Sequence, residues 1–153
     1  MRKFPIVMLT VALSAALGQA FAEEAAVSDK VRTSVLKRHP QATDMVGTME
    51  THFGQQLLEV SFKDAEGQVL HELFRANGAL FTGELVLENP QQVPPMVTDA
   101  VKANFPDARI EKAELVVNPN GVGEEYELIV SAPSGKWRVA VNDKGAITSK
   151  ERH

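Results

Sequence analysis

The segment Leu57-Leu58-Glu59-Val60-Ser61-Phe62-Lys63-Asp64-Ala65-Glu66-Gly67-Gln68-Val69-Leu70-His71-Glu72-Leu73-Phe74 decides the fold. On either side of Asp64-Ala65-Glu66-Gly67, apolar residues recur at alternate positions, which is the period of a β-strand with a buried face. The Gly-closed loop between them supplies the positive φ that a hairpin needs. Reading outward, the same signal predicts strands at 45–53, 56–63, 68–76 and 79–87, with further turns at Gly54-Gln55 and Asn77-Gly78. Ahead of them Ser28 is an N-cap, Val27, Val31 and Val35 recur at i, i+4 and i+8, and Pro40 stops the run. This is a short amphipathic helix, too short to stand alone, so it must lie on the sheet.

The pattern then repeats at an offset of about 67 residues. Lys37-Arg38-His39-Pro40-Gln41-Ala42 returns as Ala103-Asn104-Phe105-Pro106-Asp107-Ala108, and Leu58-Glu59-Val60-Ser61-Phe62 as Tyr126-Glu127-Leu128-Ile129-Val130. Gly67 and Gly78 return as Gly135 and Gly145. The second helix begins at Pro94-Pro95, carries the stripe Met96, Val97, Ala100 and Val101, and ends at Pro106. Strands follow at 109–117, 124–132, 136–142 and 146–151. The expected fold class is therefore α+β, two tandem units, each a short helix packed on a four-stranded antiparallel meander. The units span 23–88 and 96–153, joined by a Pro-containing polar linker at 89–95.

Composition narrows function by exclusion. The chain has 153 residues, 44% hydrophobic and 24% charged, with no Cys. Disulfide frameworks, thiolate nucleophiles and Cys-based metal centres are thereby excluded. Residues 1–22 read as a signal peptide: Arg2 and Lys3, an apolar run from Ile6 to Leu17 shorter than a membrane span, then Ala20-Phe21-Ala22 as the cleavage site. Cleavage after Ala22 implies a periplasmic or secreted protein with no membrane insertion thereafter. The formal charge of −4 becomes more acidic once Arg2 and Lys3 are removed, and no basic run exists to bind nucleic acid.

The paired units, each a helix ending in x-Pro-x-Ala followed by a Tyr/Leu-Glu-hydrophobic strand and a strand closed by Asp/Asn-(x)-Gly, resemble the PepSY-like proteins related to the β-lactamase inhibitor protein (BLIP-like) fold. The resemblance covers 28–153. It implies a secreted or periplasmic binding or inhibitory module, with helices on one sheet face and the other face open.

Pairing Lys63 with Gln68 puts Phe62 opposite Val69, Val60 opposite His71 and Leu58 opposite Leu73 beneath the helix. The second unit is expected to pair Val130 with Trp137, Leu128 with Val139 and Tyr126 with Val141, all core. On the opposite, open face, Leu57 then faces Phe74, Ser61 faces Leu70, Ile129 faces Arg138 and Glu59 faces Glu72. A two-residue Gly54-Gln55 turn adds Glu50 beside Glu59. Large apolar side chains on an uncovered face are buried by a partner, a dimer mate or the other unit. The acidic row reads as a solvated face, a docking row for basic groups or a weak Ca²⁺ site. His52 and His71 sit two strands apart, roughly 14 Å on sheet spacings and too far to share a metal, so no metal site is expected. His71, on the core face within reach of Glu84, reads as a satisfied buried imidazole.

No Gly-x-Ser-x-Gly elbow or phosphate-cradling loop occurs, so no catalytic residue and no cofactor are assigned. The reading is a non-enzymatic binding protein that recognises or inhibits a protein or peptide through its open sheet face. Its apolar centre is Leu57, Leu70, Phe74 and Ile129, ringed by Glu59, Glu72, Glu127 and Arg138. A small-ligand or cation-binding carrier is the alternative.

Overall fold

A computed structural model describes residues 24–121 and 123–153. The segment read as a signal peptide lies outside the described residues. Among the described residues nine strands form one antiparallel sheet in chain order: β1 (Glu24–Ala25), β2 (Thr43–His52), β3 (Gln55–Lys63), β4 (Val69–Phe74), β5 (Leu80–Val86), β6 (Arg109–Val117), β7 (Glu124–Ala132), β8 (Gly135–Asn142) and β9 (Ile147–Arg152). Helix α1 (Asp29–Arg38) precedes β2 and α2 (Pro95–Asn104) precedes β6. Among the described residues no helix is long and apolar enough to cross a membrane. The two meanders are continuous, because β5 pairs with β6 through Glu84–Val116, Leu85–Leu115 and Val86–Glu114.

The local chemistry of each helix is as its residues dictate. Ser28 Oγ accepts from Val31 N at the start of α1, and Pro95 occupies the first turn of α2. Both helices end alike: His39 N donates to Val35 O and Phe105 N to Val101 O, each at 2.8 Å. The duplication extends to irregularities. Register shifts fall at Leu73/Phe74 between β4 and β5 and at Ala140/Val141 between β8 and β9, equivalent places in the two units. Such bulges increase local twist and bend a sheet.

Each helix covers an apolar core. Val31 and Val35 pack on Val60, Phe62 and Phe74. Val97 and Val101 pack with Phe105, Tyr126, Leu128, Val130, Val139 and Val141. Met96, expected in the α2 stripe, is instead 49% exposed. Strand β1 was not legible as a strand. It pairs Glu24 with Thr48 and Ala25 with Gly47, and glycine is required there because a Cβ on Gly47 would come within 2.5 Å of the Ala25 carbonyl oxygen.

The second unit keeps the expected register, with Val130–Trp137, Leu128–Val139, Tyr126–Val141 and Ile129–Arg138 paired. The first unit does not. Asp64 N bonds Gln68 O across a three-residue loop ending in Gly67 at φ 79°, so Lys63 pairs with Val69 rather than Gln68. A three-residue loop closed by a left-handed glycine shifts the pairing by one residue relative to a four-residue loop. Asp64 Oδ1 fixes this turn by accepting from Glu66 N and Gln68 N. The pairs become Leu58–Phe74, Glu59–Leu73, Val60–Glu72, Ser61–His71 and Phe62–Leu70. A one-residue slip exchanges faces, so Phe74, Leu70 and Glu72 lie on the helix side, while His71 and Leu73 lie on the other.

The preceding hairpin is also shifted. Its turn is Phe53-Gly54, both with positive φ (50° and 71°), pairing His52 with Gln55 and Glu50 with Leu57. A phenylalanine at positive φ is unfavourable in isolation. Tertiary contacts hold it: Phe53 N donates to Glu125 Oε2 at 2.7 Å and its ring lies 6.2 Å from that of Phe81.

Candidate functional site

The helix-free face is curled onto itself. Strands β2 and β8 are six places apart in the sheet order, roughly 29 Å on flat spacing of about 4.8 Å per strand. Even so, Arg138 Nη1 of β8 donates to Glu50 Oε1 of β2. Twist alone does not bring such strands together; the bulges supply the extra bend. The enclosed floor is apolar, formed by Leu57, Leu73, Phe81 and Val116 with Phe53 packed against them. Leu57, Leu73 and Phe81 of this face are thus buried against Val116 of the other unit, one of the three occupants expected for it.

Beside that floor lies a cluster of charged groups. His52, completely buried, points Nε2 at Glu50 Oε2 (3.4 Å), Glu84 Oε1 (3.3 Å) and Glu127 Oε2 (3.5 Å). His71 points Nδ1 at Glu59 Oε1 (3.2 Å), Glu84 Oε2 (3.5 Å) and Glu114 Oε1 (3.8 Å). The Glu84 side chain is 1% exposed, and its two oxygens face the two imidazoles. The outer side of the cluster is closed by cations. Arg138 Nε reaches Glu127 Oε1 at 3.1 Å, and Lys112 Nζ lies 2.9 Å from Glu114. None of the contacts around Glu50 Oε2, Glu84 Oε2, either nitrogen of His52 or Nδ1 of His71 has hydrogen-bond geometry.

Enclosure separates the protonation equilibria. Burial pushes Glu50 up, but the imidazole of His52 and the guanidinium of Arg138 outweigh it and bring the carboxyl down to about 2. Burial pulls His52 down, and the surrounding Glu50, Glu127 and Glu84 carboxylates outweigh that to raise it to about 9. His71 is raised to about 10 by Glu59 and Glu84, against burial. Burial, reinforced by the negative charge of Glu50, raises Glu127 to about 8, and burial likewise raises Glu84. Carboxylates and imidazoles this close, in low dielectric, have their pKa values driven apart by burial and neighbouring charge.

The eight residues expected at a docking surface divide between the two faces. Leu57, Glu59, Glu127, Ile129 and Arg138 are on the helix-free face, but Leu57 is buried in its floor. Leu70, Glu72 and Phe74 are on the helix side, with Phe74 fully buried under α1. Glu72 accepts a two-pronged bond from Arg38, Nε to Oε1 at 2.9 Å and Nη2 to Oε2 at 2.7 Å, with His39 Nε2 3.3 Å from Oε1. Glu59 pairs across the strands with Thr48 and Leu73, so the expected Glu50-Glu59-Glu72 row does not exist. The expected pairing of His71 with Glu84 does, in both register and contact. The expected separation of His52 and His71 is overturned, because both imidazoles touch the single carboxyl of Glu84. Spacing within a flat sheet does not apply when a curl brings β2 over β5 and β7. Glu50, His52, Glu84 and Glu114 were not recognised as a site. Their signal was there: with the correct register, nearly every strand places an acid or imidazole on the same side.

The fold and this face define a class: a duplicated α+β protein with one curled antiparallel sheet, roofed on one side and polar-cored on the other. No family model and no curated protein matches the sequence. Among solved structures, a protein from Bacteroides eggerthii DSM 20697 described as periplasmic aligns over 83% of this chain and 89% of its own, with a TM-score of 0.55 and 18% identity. A BLIP-like protein from Bacteroides fragilis NCTC 9343 is also 18% identical, over 81% of this chain and 84% of its own, with a TM-score of 0.48. The first is a likeness of fold.

Proposed function

We propose that the chain is a non-enzymatic binding protein of the bacterial envelope, periplasmic or secreted, that recognises a protein or peptide at one end of its helix-free face. The observation that carries this reading is apolar exposure at that end. Val46, Val69 and Val86 are 48%, 52% and 37% exposed, and Ile129 lies between Lys112 and Arg138 in the cross-strand register. Apolar side chains gathered among charged ones are the composition of an interaction surface, with area from the former and orientation from the latter. Of the residues expected from sequence, Ile129 and Arg138 remain in this proposal, while Glu59 and Glu127 face the enclosed imidazoles. Leu57 belongs to the enclosed floor with Leu73, Phe81 and Val116, and Leu70, Glu72 and Phe74 belong to the α1 side. The B. eggerthii protein's periplasmic description agrees with the export signal read at residues 1–22.

The test is quantitative capture from an envelope extract of the source bacterium. Val69→Asp and Ile129→Asp should each lower recovery of one and the same co-eluting protein at least tenfold, while Leu36→Asp, on α1, leaves it unchanged. Equal capture by all three variants would rule out this end of the face.

A further inference from the structure

The six imidazole–carboxylate distances at the cluster lie between 3.2 and 3.8 Å. Charge-assisted N–H···O⁻ hydrogen bonds close to about 2.7–2.9 Å with the proton on the line of centres. These contacts do neither, although His52 is wholly buried and both of its nitrogens lack a hydrogen-bond partner. Ligand atoms around a tetrahedral Zn²⁺, bonded at about 2.0–2.2 Å, stand about 3.3–3.6 Å from one another. The 3.3, 3.4 and 3.5 Å around His52 Nε2 are that spacing. One donor atom each from Glu50, His52 and Glu84, and likewise from Glu59, His71 and Glu84, fall within 4.8 Å of one another. The two oxygens of Glu84 point to different imidazoles, as a bridging carboxylate requires.

We propose that the helix-free face binds a pair of divalent transition-metal ions, one held by His52 Nε2 with Glu50 and Glu84 and the other by His71 Nδ1 with Glu59 and Glu84, each shell completed by water. Glu84 bridges the two. One imidazole and several carboxylates without thiolate suit Zn²⁺ among the borderline ions, whereas Ca²⁺ and Mg²⁺ take all-oxygen shells. Each ion takes the place of the proton on an imidazole, so its charge replaces the imidazolium charge that the surrounding carboxylates face. Arg138 holds Glu50 from outside, fixing that ligand's orientation. This inference does not depend on the docking proposal, since it uses the enclosed part of the face rather than its open end.

The full chain, refolded after EDTA treatment, is titrated with Zn²⁺ by calorimetry and its bound metal is counted. Two ions per chain are expected in the unchanged protein and one in each of His52→Ala and His71→Ala. Glu84→Gln should weaken both at least tenfold. No uptake would overturn the proposal, as would uptake that survives in the His52→Ala/His71→Ala double variant, which marks adventitious surface ions. A single ion lost in both single variants would overturn the paired site. Co²⁺ replacement in the unchanged protein needs no variant: intense visible bands of four-coordinate Co²⁺ are expected, and the pale spectrum of six-coordinate Co²⁺ would count against the geometry.

Discussion

On the helix side of the sheet burial is almost wholly apolar. Val60, Phe62 and Phe74 meet α1, and Leu128, Val130 and Val139 meet α2. On the other side the same strands enclose Glu50, His52, Glu84 and Glu127 beside a small apolar floor. Apolar burial is non-directional and tolerates any close-packed neighbour, so the helix side is stabilised wherever two greasy surfaces meet. Buried charge is directional. It persists only where an opposite charge or a bound ion occupies a particular position, so the curl and the charged cluster must form together. A polar residue at every second position therefore has two meanings, solvated rim or enclosed network, and the curvature of the sheet selects between them.

The sharpest way to break this contrast is to put a charge on the apolar side. Phe74→Asp, which sequence alone would place on an exposed surface, should abolish the cooperative thermal transition, because a carboxylate would be buried beneath α1 where the neighbouring cation, Arg38, is already engaged by Glu72. A retained transition would return Phe74 to the surface. Next, Leu128→Ala should cost about 2–5 kcal/mol in denaturant unfolding, through lost burial and the cavity left behind. On the polar side Arg138→Met should cost about 2–4 kcal/mol. It leaves Glu50 and Glu127 without their guanidinium, moderated by the part of Arg138 that water reaches. Arg138→Met combined with Glu50→Gln should recover much of that loss, since the stranded charge is then gone.

A smaller effect separates the faces by pH. In the metal-free protein His52 and His71, raised to about 9 and 10, contribute stability that is complete below their ordinary value near 6.5 and lost as pH rises through 9 to 10. Glu127, raised to about 8, loses its contribution between 4.5 and 8 in the same direction. Glu50, lowered to about 2, contributes above 4.5 and loses that contribution as pH falls toward 2. Melting temperature measured in chelator should accordingly be highest near pH 4.5, decline gently above it and fall more steeply once the imidazoles' contribution is lost above 6.5. His52→Gln/His71→Gln should flatten that decline. The smallest effect is expected at Met96, where Met96→Ser should change stability by under about 0.5 kcal/mol, because the side chain stands in water outside the α2 core.

Residue order by itself determined eight strands to within one or two residues at their ends, both helices, the Ser28 cap, the duplication, and every cross-strand pair tested in the second unit. These are local consequences: two-residue and 3.6-residue periods, a serine cap, prolines that stop helices and glycines that close turns. Only the tertiary structure decided the register of the first unit. There, Asp64 selects a bulged turn, and Phe53 is held at positive φ by Glu125, which is 72 residues away along the chain. The first moves the pairing by one residue, which with a period of two reverses the faces, and the second moves it by two, which keeps the faces and changes the partners. The curl that carries β2 onto β7 and β8 was equally beyond reading along the chain. It sums bulge and twist over many strands, and its stability comes from contacts such as Arg138 with Glu50, whose partners have no proximity until the sheet has bent.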